Sequence, residues 1–260
     1  MAAHRLHAVP VERVWGRRDL PPGFPAAPGD APTGEIWFEA PAEAALLVKY
    51  LFTSERLSIQ VHPDDEAARA RGLPRGKDEA WFVLDAEPGA VIGLGLTHHV
   101  SGEALRAAAL DGSIETLLDW RPVANGDIFY SPAGTIHAIG GGIALIEVQQ
   151  NLDLTYRLYD YGRPRELHLE EALAVATRGP WSPPPAAASE PGRRSLAAGR
   201  AFSLERWTAG GEAGDGAVVV PISSGGAIDG EALVAGSVWS VAGAARIAGP
   251  GLDLLVATPA

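Results

Sequence analysis

Gly-Asp-Ile-Phe-Tyr-Ser-Pro-Ala-Gly-Thr-Ile-His, residues 126–137, reads as strand, tight corner, strand. Gly126 and Gly134 supply the backbone freedom that tight corners need, and Pro132 stiffens the approach. Ile128, Tyr130, Ile136 and Ala138 follow the period-2 alternation of paired strands. His137 therefore arrives at a fixed distance after a Pro-x-Gly corner, inside a β-scaffold that can aim an imidazole at a metal.

A partner segment lies upstream, at Leu57-Ser-Ile-Gln-Val-His-Pro. Gln60 and His62 are two apart, so on a strand they share a face. The nearest carboxylate suited to join them is Glu79, in Gly76-Lys-Asp-Glu-Ala-Trp-Phe-Val-Leu, which opens a strand of apolar and aromatic residues from Trp81 to Leu84. Between them, Asp64 to Gly72 reads as a short helix, acidic at its start, alanine-rich in the middle, with late arginines and a glycine stop. The candidate ligand set is Gln60, His62, Glu79 and His137, two nitrogens and two oxygens with one negative charge. Imidazole and carboxylate without thiolate suit Zn²⁺, and also Fe²⁺, Mn²⁺ or Co²⁺. The spacing G-x5-P-x-G-x2-H resembles the second conserved motif of the cupin superfamily, whose final histidine usually ligates a metal. A generic cupin would carry His-x-His where this chain has Gln60 and His62, with its carboxylate a few residues on.

A closer resemblance rests on longer segments. QVHPDD, GKDEAWFVL, SPAGTIHAI and EVQQNLDLTYRLYDYGRPRELH, with VWGRR, GEIWFEAP and LLVKYLFTSERLSIQVHP, resemble the type I mannose-6-phosphate isomerases in their short bacterial form. The likeness is nearly continuous from about residue 11 to 175 and weak from 200 onward. It implies a mainly β cupin (a double-stranded β-helix or jelly-roll barrel) with one zinc ion per chain, held by Gln60, His62, Glu79 and His137. It also implies interconversion of mannose 6-phosphate and fructose 6-phosphate through an enediol or enediolate. Arg157 stands where the family has its active-site arginine, and Lys77 where it has an active-site lysine. Glu147 and Asp153 match acidic positions lining the family's pocket.

The chemistry asks for the same kinds of group. Proton transfer between C1 and C2 needs a base, charge stabilisation on two adjacent oxygens, and an anchor for the phosphate. Arginine offers the phosphate a planar fork and lysine a point charge. Lys77 lies two before Glu79, and Ser58 two before Gln60, so each extends the face of a ligand. Catalytic candidates are thus Arg157, Lys77, Glu147 and Asp153, and candidates for substrate binding are Ser58, Lys77 and Arg157. Trp15, Trp37 and Trp81 are expected to pack, with lining a sugar pocket as the alternative. His98 and His99 are adjacent and cannot both serve from one strand, so a loop is expected; His168 is expected on a helix surface.

Composition narrows the remaining classes. With 260 residues and a net charge of −11, nucleic acid and anionic membranes are disfavoured as partners. No apolar run approaches the roughly 18–20 residues that span a bilayer, and the start lacks a continuous apolar segment of the secretory type. The chain has no cysteine, which rules out disulfides and thiolate ligands. A cytoplasmic monomer or weak homodimer acting on a small hexose phosphate is the expectation.

Three regions follow from the punctuation of the chain. Residues 1–178 form a catalytic cupin domain with a small helical insertion at about 101–120, for which Ser101 is a cap. A proline-rich loop runs from Leu20 to Gly34, and Glu166 to Thr177 reads as a closing helix. Residues 179–199 are a Pro/Ala-rich linker, and 200–260 carry short strands separated by glycines, a second, smaller cupin-like β unit. Two other readings compete with the isomerase: a cupin oxidoreductase, which Gln60 disfavours, and a non-catalytic or regulatory sugar-phosphate-binding cupin.

Overall fold

The strands that carry the motifs are buried on both faces, which explains their nearly unbroken apolar composition. Leu46–Thr53 and Ile143–Gln150 are buried at every position. They sit in the middle of a six-stranded antiparallel sheet ordered Ala8–Arg17, Thr33–Phe38, Leu46–Thr53, Ile143–Gln150, Glu79–Ala86, Ile128–Ser131. We call this the central sheet. In the computed structural model, residues 2–21, 23–184 and 188–260 are described. Pro22, in the proline-rich loop, and Pro185–Ala187, in the linker stretch, lie outside the described residues.

Alternation assigns the two faces of the central sheet. Ile36, Phe38, Val48, Tyr50, Phe52, Phe82, Ile146 and Val148 point one way, into a core shared with Phe202, Leu204, Val220, Val238 and Leu255. Leu51, Trp81, Val83 and Leu145 point the other way and meet Ile92, Leu94 and Ile139. The last three belong to a five-stranded sheet, Tyr156–Tyr159, Ile59–Val61, His137–Ile139, Val91–Leu96, Leu118–Pro122, which closes the barrel. Its far face, with Ile59, Val61, Ala138 and Leu158, is covered by Leu105, Ala108 and Ala172 of two helices, Gly102–Asp111 and Leu169–Val175. The layers therefore run helices, helix-backed sheet, central sheet, and then a second β unit.

That second unit has a six-stranded sheet, Ala3–Arg5, Trp239–Val241, Val218–Pro221, Leu254–Pro259, Phe202–Trp207, Arg193–Ala198, and a four-stranded one. The fold is the mainly β cupin arrangement with a small helical element and a second, smaller β unit. Local signals work where expected: Ser101 Oγ accepts from Ala104 N–H at 3.0 Å and Asp64 Oδ1 from Ala67 N–H at 2.8 Å. Gly126 and Gly134 have φ of +87° and +86°, the region that glycine enters without a Cβ penalty.

Three details differ from the sequence reading. The helical element ends at Leu117, and Leu118–Pro122 is already a strand of the helix-backed sheet. The stretch expected to be linker contains the edge strand Arg193–Ala198, whose alanines and serine gave no strand signal. Strand Ala3–Arg5 pairs with Trp239–Val241, so pairing runs across the boundaries drawn from composition. Among the described residues no helix is long and apolar enough to cross a membrane.

Because the central sheet shares its outer face with the second unit, both halves should melt together. Ile146→Ala, at a fully buried position between them, is expected to cost about 2–5 kcal/mol. Urea unfolding followed by far-ultraviolet circular dichroism and by tryptophan fluorescence should give one coincident transition; separated transitions would mean independent halves.

Candidate metal centre and active site

Cross-strand register brings the two motifs together. Gln60 pairs with His137 on one side and with Arg157 on the other. Ile59, Val61, Ala138, Tyr156 and Leu158 pack outward on the helices, so Gln60, His137 and Arg157 face the barrel interior. Glu79 opens its strand in the opposing central sheet, paired with Ser131 and Gln149. His62, Glu79 and His137 are 1–2 % exposed and offer ligand atoms that all lie within 4.8 Å of one another.

The protons of this cluster are directed away from its centre. His62 Nδ1 lies 2.8 Å from the Leu154 carbonyl and His137 Nδ1 2.9 Å from the Thr135 carbonyl. Carbonyls only accept, so both Nδ1 atoms carry the proton and both Nε2 atoms present lone pairs. His62 Nε2 then stands 3.2 Å from Glu79 Oε1, and His137 Nε2 stands 3.4 Å from Glu79 Oε2. His62 Nε2 and both Glu79 oxygens are buried without a hydrogen bond, although Lys77 Nζ approaches Oε1 to 2.8 Å. Buried acceptors facing acceptors repel unless a cation sits between them. The donor set suits a divalent metal, and the carbonyl partners on Nδ1 are the usual means of orienting ligating histidines.

Gln60 completes the ring of polar groups. Its Oε1 accepts from Ser58 Oγ at 3.0 Å, and its Nε2 lies 3.2 Å from His137 Nε2. A half-turn of the amide would aim Oε1 at the centre and let Nε2 donate to Ser58. Burial and Lys77 push His62 down to about 3, and burial holds His137 below its ordinary value, so both imidazoles are neutral. Burial acts to raise Glu79, but Lys77 and the histidines outweigh it and keep the carboxylate ionised.

Beside the cluster lies a cavity of about 380 Å³ with Lys77, Glu79, Gln60, Ser58, Arg157 and Asp153 in its wall. Charges of alternating sign line it along the inner face of the central sheet. Arg13 Nη2 donates to Glu35 Oε2 at 2.8 Å, and Lys49 Nζ lies 3.7 Å from Glu147 Oε1. Tryptophans fix both acids: Trp37 Nε1 donates to Glu35 at 2.6 Å and Trp81 Nε1 to Glu147 Oε2 at 2.9 Å. The Trp37 ring also lies 4.2 Å from Lys49 Nζ. Burial first, and the Glu79 charge second, push Glu147 up to about 7 against the pull of Lys49 and Lys77. Across the cavity, burial and the neighbouring Arg165 lower Arg157, whose Nε is buried without a partner.

Every predicted site residue thus reaches one region, with Asp153 the exposed member at its rim. His98 and His99 are on an exposed loop away from it. Trp15 lines the cavity and Trp81 lies behind Glu147, so packing and site support coincide in both. His168 departs from expectation. The helix starts at Leu169 rather than Glu166, and His168 exchanges bonds with the backbone of Arg157, its Nδ1 accepting from the N–H at 3.3 Å and its own backbone N–H donating to the carbonyl at 2.9 Å. Sequence reasoning missed Lys49, Arg13, Glu35 and Arg165. Lys49 had a signal, a lone cation inside the apolar run LLVKYLF. Arg165 is held by the buried Asp160, donating at 2.6 and 2.7 Å, while Arg163 shares the same carboxylate.

No protein-family model matches the chain. The mannose-6-phosphate isomerase of Streptococcus mutans is 41% identical over 176 residues, 64% of this chain and 55% of that protein. The Bacillus subtilis protein named probable mannose-6-phosphate isomerase GmuF is 34% identical over 218 residues, 67% of this chain and 69% of that one. This chain belongs to the mannose-6-phosphate isomerase family. The crystal structure of the mannose 6-phosphate isomerase from Bacillus subtilis superposes with a TM-score of 0.81 at 27% identity, covering 99% of this chain and 100% of that one. The chain thus spans little more than half of the first relative's length and the whole of a crystallised family member.

In this family member the raised Glu147 has a measurable consequence. Folded near 7 against an ordinary 4.5, its contribution to stability is full below about pH 4.5 and lost as pH rises through about 7. His62, near 3 against 6.5, runs the other way, its contribution lost as pH falls. The difference between wild type and Glu147→Gln isolates the glutamate. Metal-free wild type should lose stability relative to the variant between pH 4.5 and 7 and level off above, read as urea midpoints. A difference independent of pH would return Glu147 to the ordinary range.

Proposed function

We propose that this chain interconverts mannose 6-phosphate and fructose 6-phosphate, with one zinc ion held by Gln60, His62, Glu79 and His137. The observation that carries the reading is the buried, protonless convergence of His62 Nε2, His137 Nε2 and the Glu79 carboxylate beside an arginine-lined cavity. A bound divalent cation would supply Lewis-acid polarisation of the substrate oxygens on C1 and C2.

The chain's own residues supply the rest. Glu147 is the group we assign to proton transfer: removal of the C2 proton of the aldose and its return to C1 needs a carboxyl that both accepts and releases near neutral pH. Its value of about 7 suits that task, and Trp81 fixes one oxygen while the other faces Lys49. To Lys77 and Lys49, both in the cavity wall, we assign stabilisation of the negative charge that builds up on the two oxygens. Arg157 and Arg165 present guanidinium groups for the phosphate, Arg165 held in place by Asp160. Asp153, exposed at the rim, adds negative charge near Arg157 and Lys77. Ser58 fixes the Gln60 amide. A phosphate anchored far from the reacting carbons lets binding energy orient the sugar.

A coupled assay that follows fructose 6-phosphate from mannose 6-phosphate tests this directly. Chelation should abolish turnover and zinc should restore it; Glu79→Gln should abolish it and His98→Ala leave it unchanged. Glu147→Gln should lower kcat by about 10²–10⁴, and Arg157→Ala should act chiefly on KM. Oxygen uptake with bound iron, or zinc binding without turnover, would overturn the reading.

A further inference from the structure

The backbone ladder between Glu79–Ala86 and Ile128–Ser131 ends at the pair Glu79 and Ser131. The next rung would join Asp78 to Pro132, and proline has no N–H to give. The Asp78 side chain replaces that rung. Its Oδ1 accepts from Ala133 N–H at 2.8 Å and its Oδ2 from Tyr130 Oη–H at 2.7 Å. Its own N–H donates to Gln150 Oε1 at 2.9 Å, and its carbonyl accepts from Gln150 N–H at 3.0 Å. Asp78 is 9% exposed, with Lys77 and Glu79 on either side of it facing the cavity. One carboxylate thus ties the start of the Glu79 strand to the corner Pro132–Ile136, the segment that delivers His137.

Tyr130 is itself held from the second β unit. Its ring is 3% exposed and lies 5.1 Å from the Phe202 ring. Gly199 passes so close that a Cβ there would collide with the Tyr130 hydroxyl. Trp181 Nε1 donates to the Tyr130 carbonyl at 2.9 Å. The chain of contacts runs Phe202, Tyr130, Asp78, and then the two ligand-bearing segments.

We propose that Tyr130 and Asp78 are positioning residues through which the C-terminal β unit sets the spacing of Glu79 and His137. The inference rests on the reading of His62, Glu79 and His137 as a zinc centre. It gives the C-terminal unit, which carries no ligand of its own, a part in metal binding. Without the Tyr130 hydroxyl, Asp78 Oδ2 loses the one donor it has among the described residues, and the side chain is free to turn away from Ala133.

Zinc affinity of the full chain, measured by competition with a chromogenic chelator, tests this alongside urea midpoints of the metal-free protein. Tyr130→Phe should weaken zinc binding by about tenfold or more and lower kcat with little change in KM. Asp78→Ala, which removes both acceptors, should weaken zinc binding at least as far as Tyr130→Phe does. Tyr50→Phe is the control: its hydroxyl also meets the second unit, at the Gly236 backbone, so it should lower the urea midpoint and leave zinc affinity unchanged. If Tyr130→Phe does not fold, Phe202→Leu decides by the same criterion. Zinc affinity within twofold of wild type in Tyr130→Phe, or a loss matched by Tyr50→Phe, overturns the inference alone. A wild-type chain that binds no zinc overturns the metal-centre reading as well.

Discussion

A sheet buried on both faces must neutralise whatever charge it carries, and the central sheet carries a great deal of it. One face is mainly apolar, clamped by Phe202, Leu204 and Val220 of the second unit. The other presents Glu35, Lys49, Glu147 and Glu79 to a cavity walled by low-polarity neighbours such as Leu51 and Ile139. Water cannot solvate these groups freely, so each is held by a partner of opposite sign or by an indole N–H. That requirement orders the side chains of the site before any substrate arrives.

The same requirement separates two acids that would otherwise behave alike. Glu79 and Glu147 are both buried on the inner face, on neighbouring strands. Glu79 has Lys77 in contact at 2.8 Å and two imidazoles around it, whereas Glu147 has Lys49 at 3.7 Å and an indole. The result is one carboxylate fixed in its charged form and one poised to exchange a proton. A division of labour between paired carboxyl groups set by environment alone is a recurrent device in active sites. Within a strongly negative chain, Arg13, Arg157 and Arg165 gather positive charge in the wall of one cavity.

The convergence of the polar groups was legible in the sequence because each sits at a fixed local offset: Gln60 and His62 two apart, His137 three after Gly134. The helices were legible through their caps, Asp64 and Ser101. What stayed hidden depends on register between distant strands. Lys49 matters because it lies opposite Glu147, and Arg165 because Asp160 turns it, and neither relation is written in local spacing. His168 was misplaced because the helix begins at Leu169 rather than at Glu166, which turns a position read as helix surface into a partner of the Arg157 backbone. The strand Arg193–Ala198 was lost for a compositional reason, since alanine and serine have little strand preference and pack there only because a neighbour strand is present.

The long-range pairing of the second unit has a consequence for biosynthesis. The outer face of the central sheet, with Ile36, Phe38, Tyr50, Phe52 and Phe82, is covered by residues that the ribosome makes well after it. Strand Ala3–Arg5 must likewise wait for Trp239–Val241. A nascent chain that has completed both histidine-bearing motifs therefore still displays a broad apolar surface, the kind that recruits chaperones or sticks to its neighbours. Maturation of the site and protection of the chain from aggregation are completed by the same late-arriving strands.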